Sequence, residues 1–347
     1  MNLLSTRLYS SLISPAAQDI RRSSSLHASA ASLRIPNGMG GEETVGACLR
    51  QQYYRVAGEV PTDISDIPDW GLSSLIGNKL HDLITDLIEE HGFSMGLQLI
   101  KAEHSFFDPS INLSSRSDIL AYDHWSNEVI GIEVKSVGEY KAGKFIERRC
   151  PEHVLQSMIY LDYYQRSIPA DQKAPEKWYI WYISRTENWT IKGKKHGSPF
   201  AMLWDFYLTL EGVDGTVRIH TADGSELWDD YSITKIHNRY KALTSAIESN
   251  STPERDYDLK YSEERLAGMY KLDKIQYKKD KEPIAKWIKK GAKPGELKLE
   301  MGDFECRVCP WKSKCWAFPV DTYKDNPPYN LPTKVGVAAK KVEEPVL

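Results

Sequence analysis

Two periods of apolar residues organise the chain. Over residues 72–91, Leu80, Leu83, Ile84, Leu87 and Ile88 recur at helical spacing, which predicts an amphipathic helix with Gly92 as its stop signal. Residues 42–60 also read as compact and helical. Over 98–135 the text becomes strand-like: Val129-Ile130-Gly131-Ile132-Glu133-Val134-Lys135 is rich in β-branched residues and bounded by polar turns. Pro151 opens a further helix to about Gln165, because proline in the first turn gives up an N–H that has no partner there. Residues 178–184, Trp-Tyr-Ile-Trp-Tyr-Ile-Ser, read as a buried strand. Shorter strands are expected near 203–211 and 216–221, and helices near 232–249 and 262–271. This order of helix, strands, helix and strand predicts an α/β fold around a mixed sheet.

The 347 residues correspond to about two domains at roughly 150 residues each. Residues 1–40 carry Arg7, Arg21, Arg22 and Arg34 against a single acid, Asp19, and read as a flexible arm or a mitochondrial-type targeting segment. A core is expected over 41–185, a strand and helix insertion over 186–300, a cysteine-bearing segment over 301–320 and a loose tail over 321–347. No stretch approaches ~18 uninterrupted apolar residues, so no membrane span is expected. With a net charge of −3, any contact with a polyanion must come from local patches. Residues 271–298 form one such patch, with ten Lys against four acids. Neither Gly-x-Gly-x-x-Gly nor Gly-x-x-x-x-Gly-Lys-Ser/Thr occurs where a dinucleotide fold or an ATP motor needs it.

The chemistry concentrates in Glu133-Val134-Lys135. Alternation along a strand puts Ile130, Ile132 and Val134 on one face and Gly131, Glu133 and Lys135 on the other, with Gly131 leaving room for a bulky ligand. Ser117-Asp118-Ile119-Leu120-Ala121-Tyr122 is a partner strand. If residues 124–127 form the hairpin loop, Tyr122 pairs with Val129 and Asp118 lands opposite Glu133. Two such carboxylates repel unless a cation lies between them, and hard oxygen ligands suit Mg²⁺ or Mn²⁺. Glu-x-Lys pairs are often solvated surface charges; the apolar opposite face and the matching Asp118 set this one apart. His81 shares a helix face with Gly77, Ile84 and Ile88, which turns it toward the core. Gln156 and Tyr160, with His153 one turn earlier, form a polar strip on the helix after Pro151.

Cys48, Cys150, Cys306, Cys309 and Cys315 are odd in number, and three fall within ten residues, which suits a metal site better than a disulfide framework. Cys306-x-x-Cys309-x₅-Cys315 supplies three ligands; a tetrahedral zinc needs a fourth from a distance.

Gly77-x-x-x-His81, Asp118, Glu133-x-Lys135 and Gln156-x-x-x-Tyr160, in this order, resemble the RecB-type branch of the PD-(D/E)XK nucleases over about residues 44–185, and again over 301–318. The resemblance implies a restriction-endonuclease-like core, a mixed sheet flanked by helices and closed by an iron–sulfur domain. It implies that His81, Asp118, Glu133 and the Val134 carbonyl bind Mg²⁺ or Mn²⁺, that Lys135 is the catalytic lysine, and that Gln156 and Tyr160 position substrate or order the site. The family often has Gly shortly before the Asp, where this chain has Ser114-Ser115-Arg116-Ser117. The iron–sulfur exonucleases of this branch, including those linked to CRISPR adaptation, place one Cys before the core and three after it around a 4Fe–4S cluster. Cys48, in Cys48-x-Arg50-x-x-Tyr53-Tyr54, is similar to the first, and Cys306, Cys309 and Cys315 to the others; Trp311 and Trp316 then shield the cluster, and Cys150 stands outside the pattern. The activity implied is a metal-dependent DNA exonuclease leaving 5′-phosphates in repair, recombination or replication. The expected location is the cytoplasm (a host's, if phage-encoded), with the mitochondrion as alternative.

Two other readings stay open: a catalytically silent iron–sulfur DNA-binding subunit working with a helicase or recombinase, and a redox protein, which has no use for the acid–lysine face. DNA contacts are expected from Lys192, Lys194 and Lys195 and from the lysines of 271–298, with Tyr277 and Trp287 stacking on bases. A solvated helix or loop explains each patch equally well.

Overall fold

The computed structural model describes residues 25–63, 71–138, 145, 149–185, 188–191, 194–197 and 203–317. The chain forms two units, Met1–Val60 with Ile67–Tyr257, and Pro61–Asp66 with Asp258–Leu347.

The first unit is built on a seven-stranded sheet of β3 (Leu97–Asp108), β4 (Leu113–Asp123), β5 (Glu128–Val137), β6 (Lys177–Ser184), β9 (Leu203–Glu211), β10 (Thr216–Thr221) and β11 (Gly224–Ser232). The spatial order is β11-β10-β9-β6-β5-β4-β3. All neighbours are antiparallel except β5 and β6, which are joined through α3 (Pro151–Ser167) as parallel neighbours require. The fold is therefore α/β with a mixed sheet. A hairpin of β1 (Ser32–Pro36) and β2 (Glu42–Gly46), helix α1 (Leu49–Val56) and helix α2 (Gly71–Met95) precede it, and α4 (Ile233–Glu248) follows. Between β6 and β9, β7 (Asn188–Ile191) and β8 (Lys194–Gly197) pair only with each other among the described residues.

Helix α2 covers one sheet face. Leu80, Ile84 and Ile88 pack against Ile119, Ala121, Ile130, Ile132 and Val134. Leu83 and Leu87 remain 50% and 38% exposed, so the apolar stripe is wider than the buried face. The expected stop at Gly92 is corrected: the helix continues to Met95 and ends at Gly96, φ +72°, the left-handed exit that glycine allows. Gly92 serves close approach instead, since a Cβ there would lie 2.5 Å from the Leu97 carbonyl oxygen.

Helix α3 covers the other face, where Tyr160 and Tyr164 stack around Trp178 at centroid distances of 5.4 and 5.6 Å. The space expected beside Gly131 belongs to that indole: a Cβ on Gly131 would lie 2.1 Å from Trp178. The residue lacks a side chain to admit a core tryptophan, not a ligand.

Three boundaries also differ from expectation. Residues 25–36 are packed rather than an arm, with Leu26 and Leu33 fully buried; residues 1–24 lie outside the described set. Residues 42–46 are a strand, paired with 32–36. The region after 185 contributes β9, β10 and β11 to the same central sheet, and the division between units falls at Tyr257/Asp258. β11 escaped the pattern because its exposed, polar edge position leaves no apolar alternation.

The second unit holds α5 (Glu263–Lys271), α6 (Lys278–Lys289), α7 (Phe304–Arg307) and α8 (Lys312–Ala317). Tyr261, Leu266, Ile275 and Ile284 form its core, with Met269, Ile288, Leu297 and Met301 packed around them. Thr62 and Asp63 donate their N–H groups to the Pro310 carbonyl, and the Asp63 carboxylate accepts from the Ser313 N–H and hydroxyl at 2.8 and 2.6 Å. Among the described residues no helix is long and apolar enough to cross a membrane.

Candidate functional site

The β4–β5 hairpin has the expected register: Tyr122 pairs with Val129 and Ile119 with Ile132 across the loop 124–127. One step further Asp118 meets Glu133, and the ladder gives way to chemistry, because the Val134 N–H donates to Asp118 Oδ2 at 2.8 Å. From α2, His81 Nδ1 lies 3.4 Å from the same oxygen. Gly77, one turn earlier, brings the helix against β5: a Cβ there would lie 3.3 Å from Ser136 Oγ. The core-facing orientation expected for His81 is what makes this contact.

Glu133 is 1% exposed. Its Oε1 accepts from Lys135 Nζ, which also donates to Gln156 Oε1 at 3.0 Å. Gln156 Nε2 donates to the Tyr160 hydroxyl at 2.7 Å, and that hydroxyl donates to the Arg116 carbonyl at 2.9 Å. A relay thus runs from the lysine on β5 through α3 to β4, two residues before Asp118. Tyr160 is buried, and its hydroxyl is engaged within this relay. Two serines in the run before Asp118 serve the same helix. Ser117 Oγ bonds the Tyr164 hydroxyl at 2.8 Å and Ser115 Oγ the Tyr160 hydroxyl at 3.4 Å. His153 shares a 2.9 Å hydrogen bond with the Tyr182 hydroxyl.

Burial, and then repulsion from Asp118, raise the Glu133 carboxyl to about 7, with Lys135 and His81 opposing. At His81 burial disfavours the charged ring, but the hydrogen bond and charge of Asp118 outweigh it and raise the imidazole above its ordinary value. Lys135 is likewise raised, Glu133 and Asp118 outweighing its burial. Glu133 Oε2 is buried and has no hydrogen-bond partner among the described residues. A buried carboxylate oxygen without a donor is costly, and a cation satisfies it. Two carboxylates and an imidazole also form a donor set that Mn²⁺ or Mg²⁺ accepts, so the residues present fit a divalent ion.

Sequence reasoning missed Glu103. It lies on β3 opposite Asp118, between the pairs Ala102–Ile119 and His104–Ser117. His81, Glu103 and Asp118 each present a ligand atom within 4.8 Å of the others.

The cysteines fall in both units: Cys48 at the N-cap of α1, Cys306 in α7, Cys309 in the turn after it and Cys315 in α8. Thiols are the ligand type of an iron–sulfur cluster or zinc, but among the described residues these cysteines are not gathered into a metal-binding group. Cys150 caps α3; its thiol bonds Glu152 at 3.0 Å, and burial with the nearby carboxylate pushes it up to about 12. Trp287 is corrected as a base-stacking residue: it is buried in the second unit and donates its indole N–H to the Lys293 carbonyl at 2.8 Å. Tyr277 is half exposed. Lys192 lies outside the described residues; Lys194 and Lys195 belong to β8.

No protein-family model matches the chain, and no curated protein matches it in sequence.

Proposed function

We infer that the first unit is a metal-dependent DNA nuclease with a restriction-endonuclease-like core, acting as an exonuclease that leaves 5′-phosphates. The observation that carries this reading is one constellation from four elements: His81 on α2, Asp118 on β4, Glu133 with Lys135 on β5, and the Gln156–Tyr160 pair of α3 fixing the lysine. Solvated surface charges do not bury a glutamate to 1% exposure or tether a lysine through a three-residue relay.

His81, Asp118, Glu133 and the Val134 carbonyl are the proposed ligands of Mg²⁺ or Mn²⁺. When bound, such an ion lowers the pKa of a water and offsets phosphate charge. The protein's own part centres on Lys135. An ammonium has three donors; Glu133 and Gln156 take two, and the third is left to orient a water or bond a phosphate oxygen. Because the relay fixes Lys135 before substrate arrives, its charge needs little reorganisation when charge develops on phosphorus. The exposed lysines of α6, Lys278, Lys279, Lys286 and Lys289, are proposed to hold DNA backbone. Cys48, Cys306, Cys309 and Cys315 are proposed to carry a 4Fe–4S cluster, a reading that rests on the resemblance of their pattern to the iron–sulfur exonucleases.

The test uses anaerobically purified full chain with Mn²⁺ and DNA labelled at either end, beside a covalently closed circle. Shortening of linear DNA with an intact circle supports the exonuclease. DNA binding without cleavage of either substrate replaces it with the silent binding subunit. A colourless anaerobic preparation with stoichiometric zinc and no iron removes the cluster.

A further inference from the structure

Glu103 belongs to none of the motifs, yet the fold delivers it to the same centre. It occupies the edge strand β3 directly across from Asp118, and its carboxylate lies within 4.8 Å of ligand atoms on both His81 and Asp118. In this structure it is paired with Arg116. The two side chains are 39% and 64% exposed, so this ion pair is of the solvent-screened kind that contributes little and exchanges readily. The pull on the cluster comes from the opposite side: Glu133 is 1% exposed, its Oε2 has no partner among the described residues, and its charge acts on both His81 and Asp118. Two carboxylates, Glu103 and Asp118, meet the His81 imidazole, while Lys135 donates to Glu133 and Gln156 rather than to either of them. Opposed negative charges at such range need a cation.

We propose that Glu103 is a further side-chain ligand of the divalent centre, delivered by β3, and that Arg116 is its counter-ion while no metal is bound. The inference rests on the metal-centre part of the reading above. The site then binds the ion through protein groups on both strands flanking β4's acid, and it loads before DNA arrives. Arg116 competes with the metal for Glu103, so its removal favours loading.

The experiment titrates Mn²⁺ into the full chain, without DNA, and follows the free-ion signal by electron paramagnetic resonance for the parent, Glu103→Gln, Arg116→Ala and Lys135→Ala. Loss of a partner behind a ligand already costs about 10–100-fold in metal affinity, so Glu103→Gln is expected to weaken Mn²⁺ by at least about tenfold. Arg116→Ala is expected to bind as tightly as the parent or tighter, and Lys135→Ala to retain the ion. An unchanged melting temperature for metal-free Glu103→Gln separates a lost ligand from a lost fold. Parent-like affinity in Glu103→Gln overturns the ligand, and weaker binding in Arg116→Ala overturns the counter-ion. Absence of Mn²⁺ from the parent overturns both, and the metal centre with them. Mn²⁺ binding that follows the expected order in a protein that cleaves no DNA leaves Glu103 in place and removes the nuclease.

Discussion

Gly131→Ala tests how the sheet positions the site. A Cβ at this position would lie 2.1, 2.3 and 2.4 Å from three atoms of the Trp178 indole, where carbon atoms normally rest about 3.5–4.0 Å apart. The ring cannot step aside, being fully buried with Tyr160 and Tyr164 against it. A shift of about 1.5 Å must be shared between β5 and the indole. Overpacking of this kind costs about 1–3 kcal/mol, and losing a strand glycine returns about 0.5–1 kcal/mol. The net loss of roughly 0–2.5 kcal/mol, reaching zero only at the extreme of both ranges, corresponds to a fall in Tm of up to about 10 °C for a unit of this size. Calorimetry of Gly131→Ala, Trp178→Phe and the double variant measures it. The smaller ring makes room for the methyl, so the double variant is expected to lose less than the sum of the singles. A Gly131→Ala protein that melts at or above the parent, or strictly additive losses, refutes the close-contact argument. Glu133 and Lys135 lie two and four residues further along this strand, so the same displacement reaches the face that carries the candidate site.

Further tests address the surroundings. Burial would raise Asp108 and Asp162, but hydrogen bonds from Arg166 and Ser110 to the first, and from His237 and Arg166 to the second, hold both below the ordinary carboxylate value. Their stabilisation is therefore present above an unfolded pKa of about 3.9 and lost as pH falls through the lower folded values. Arg166→Met is expected to be less stable than the parent at pH 7, with denaturation curves that converge in acid; a constant gap contradicts this. Cys150, raised to about 12, is expected to resist alkylation at pH 8 in the native protein, as read by mass spectrometry. Replacing Lys279, Lys286 and Lys289 by Glu is expected to weaken DNA binding and flatten its salt dependence by about 0.9 per lost phosphate contact. Trp287→Ala is expected instead to destabilise the second unit by about 3–5 kcal/mol in thermal melts, as loss of a buried indole does.

The parts of the site that depend on counting residues were legible in the sequence. The loop 124–127 sets the register that brings Asp118 to Glu133, and helical spacing places His81 with Ile84 and Ile88. What depends on irregular backbone or on shape was not. Glu103 reaches the centre only because β3 slips register between Leu99 and Lys101 and turns through a left-handed φ of +49° at Glu103 itself, neither of which has a residue signature in a run without glycine. The space beside Gly131 looked like ligand room because the tryptophan that fills it comes from a parallel neighbour 47 positions later. Trp287 looked like a stacking ring among lysines because composition does not reveal which side of an amphipathic helix is packed.

The central claim is that Lys135 performs the chemistry of a metal-dependent nuclease, and Lys135→Ala tests it most directly. Single-turnover cleavage of end-labelled DNA, with Mg²⁺ and with Mn²⁺, is measured alongside DNA affinity. The side chain is tethered to Glu133 and Gln156 and is not a proposed metal ligand, so DNA and Mn²⁺ are expected to bind as in the parent. The cleavage rate is expected to fall by about 10²–10³, the loss typical of one well-placed electrostatic donor. Parental cleavage by Lys135→Ala with both ions contradicts the account.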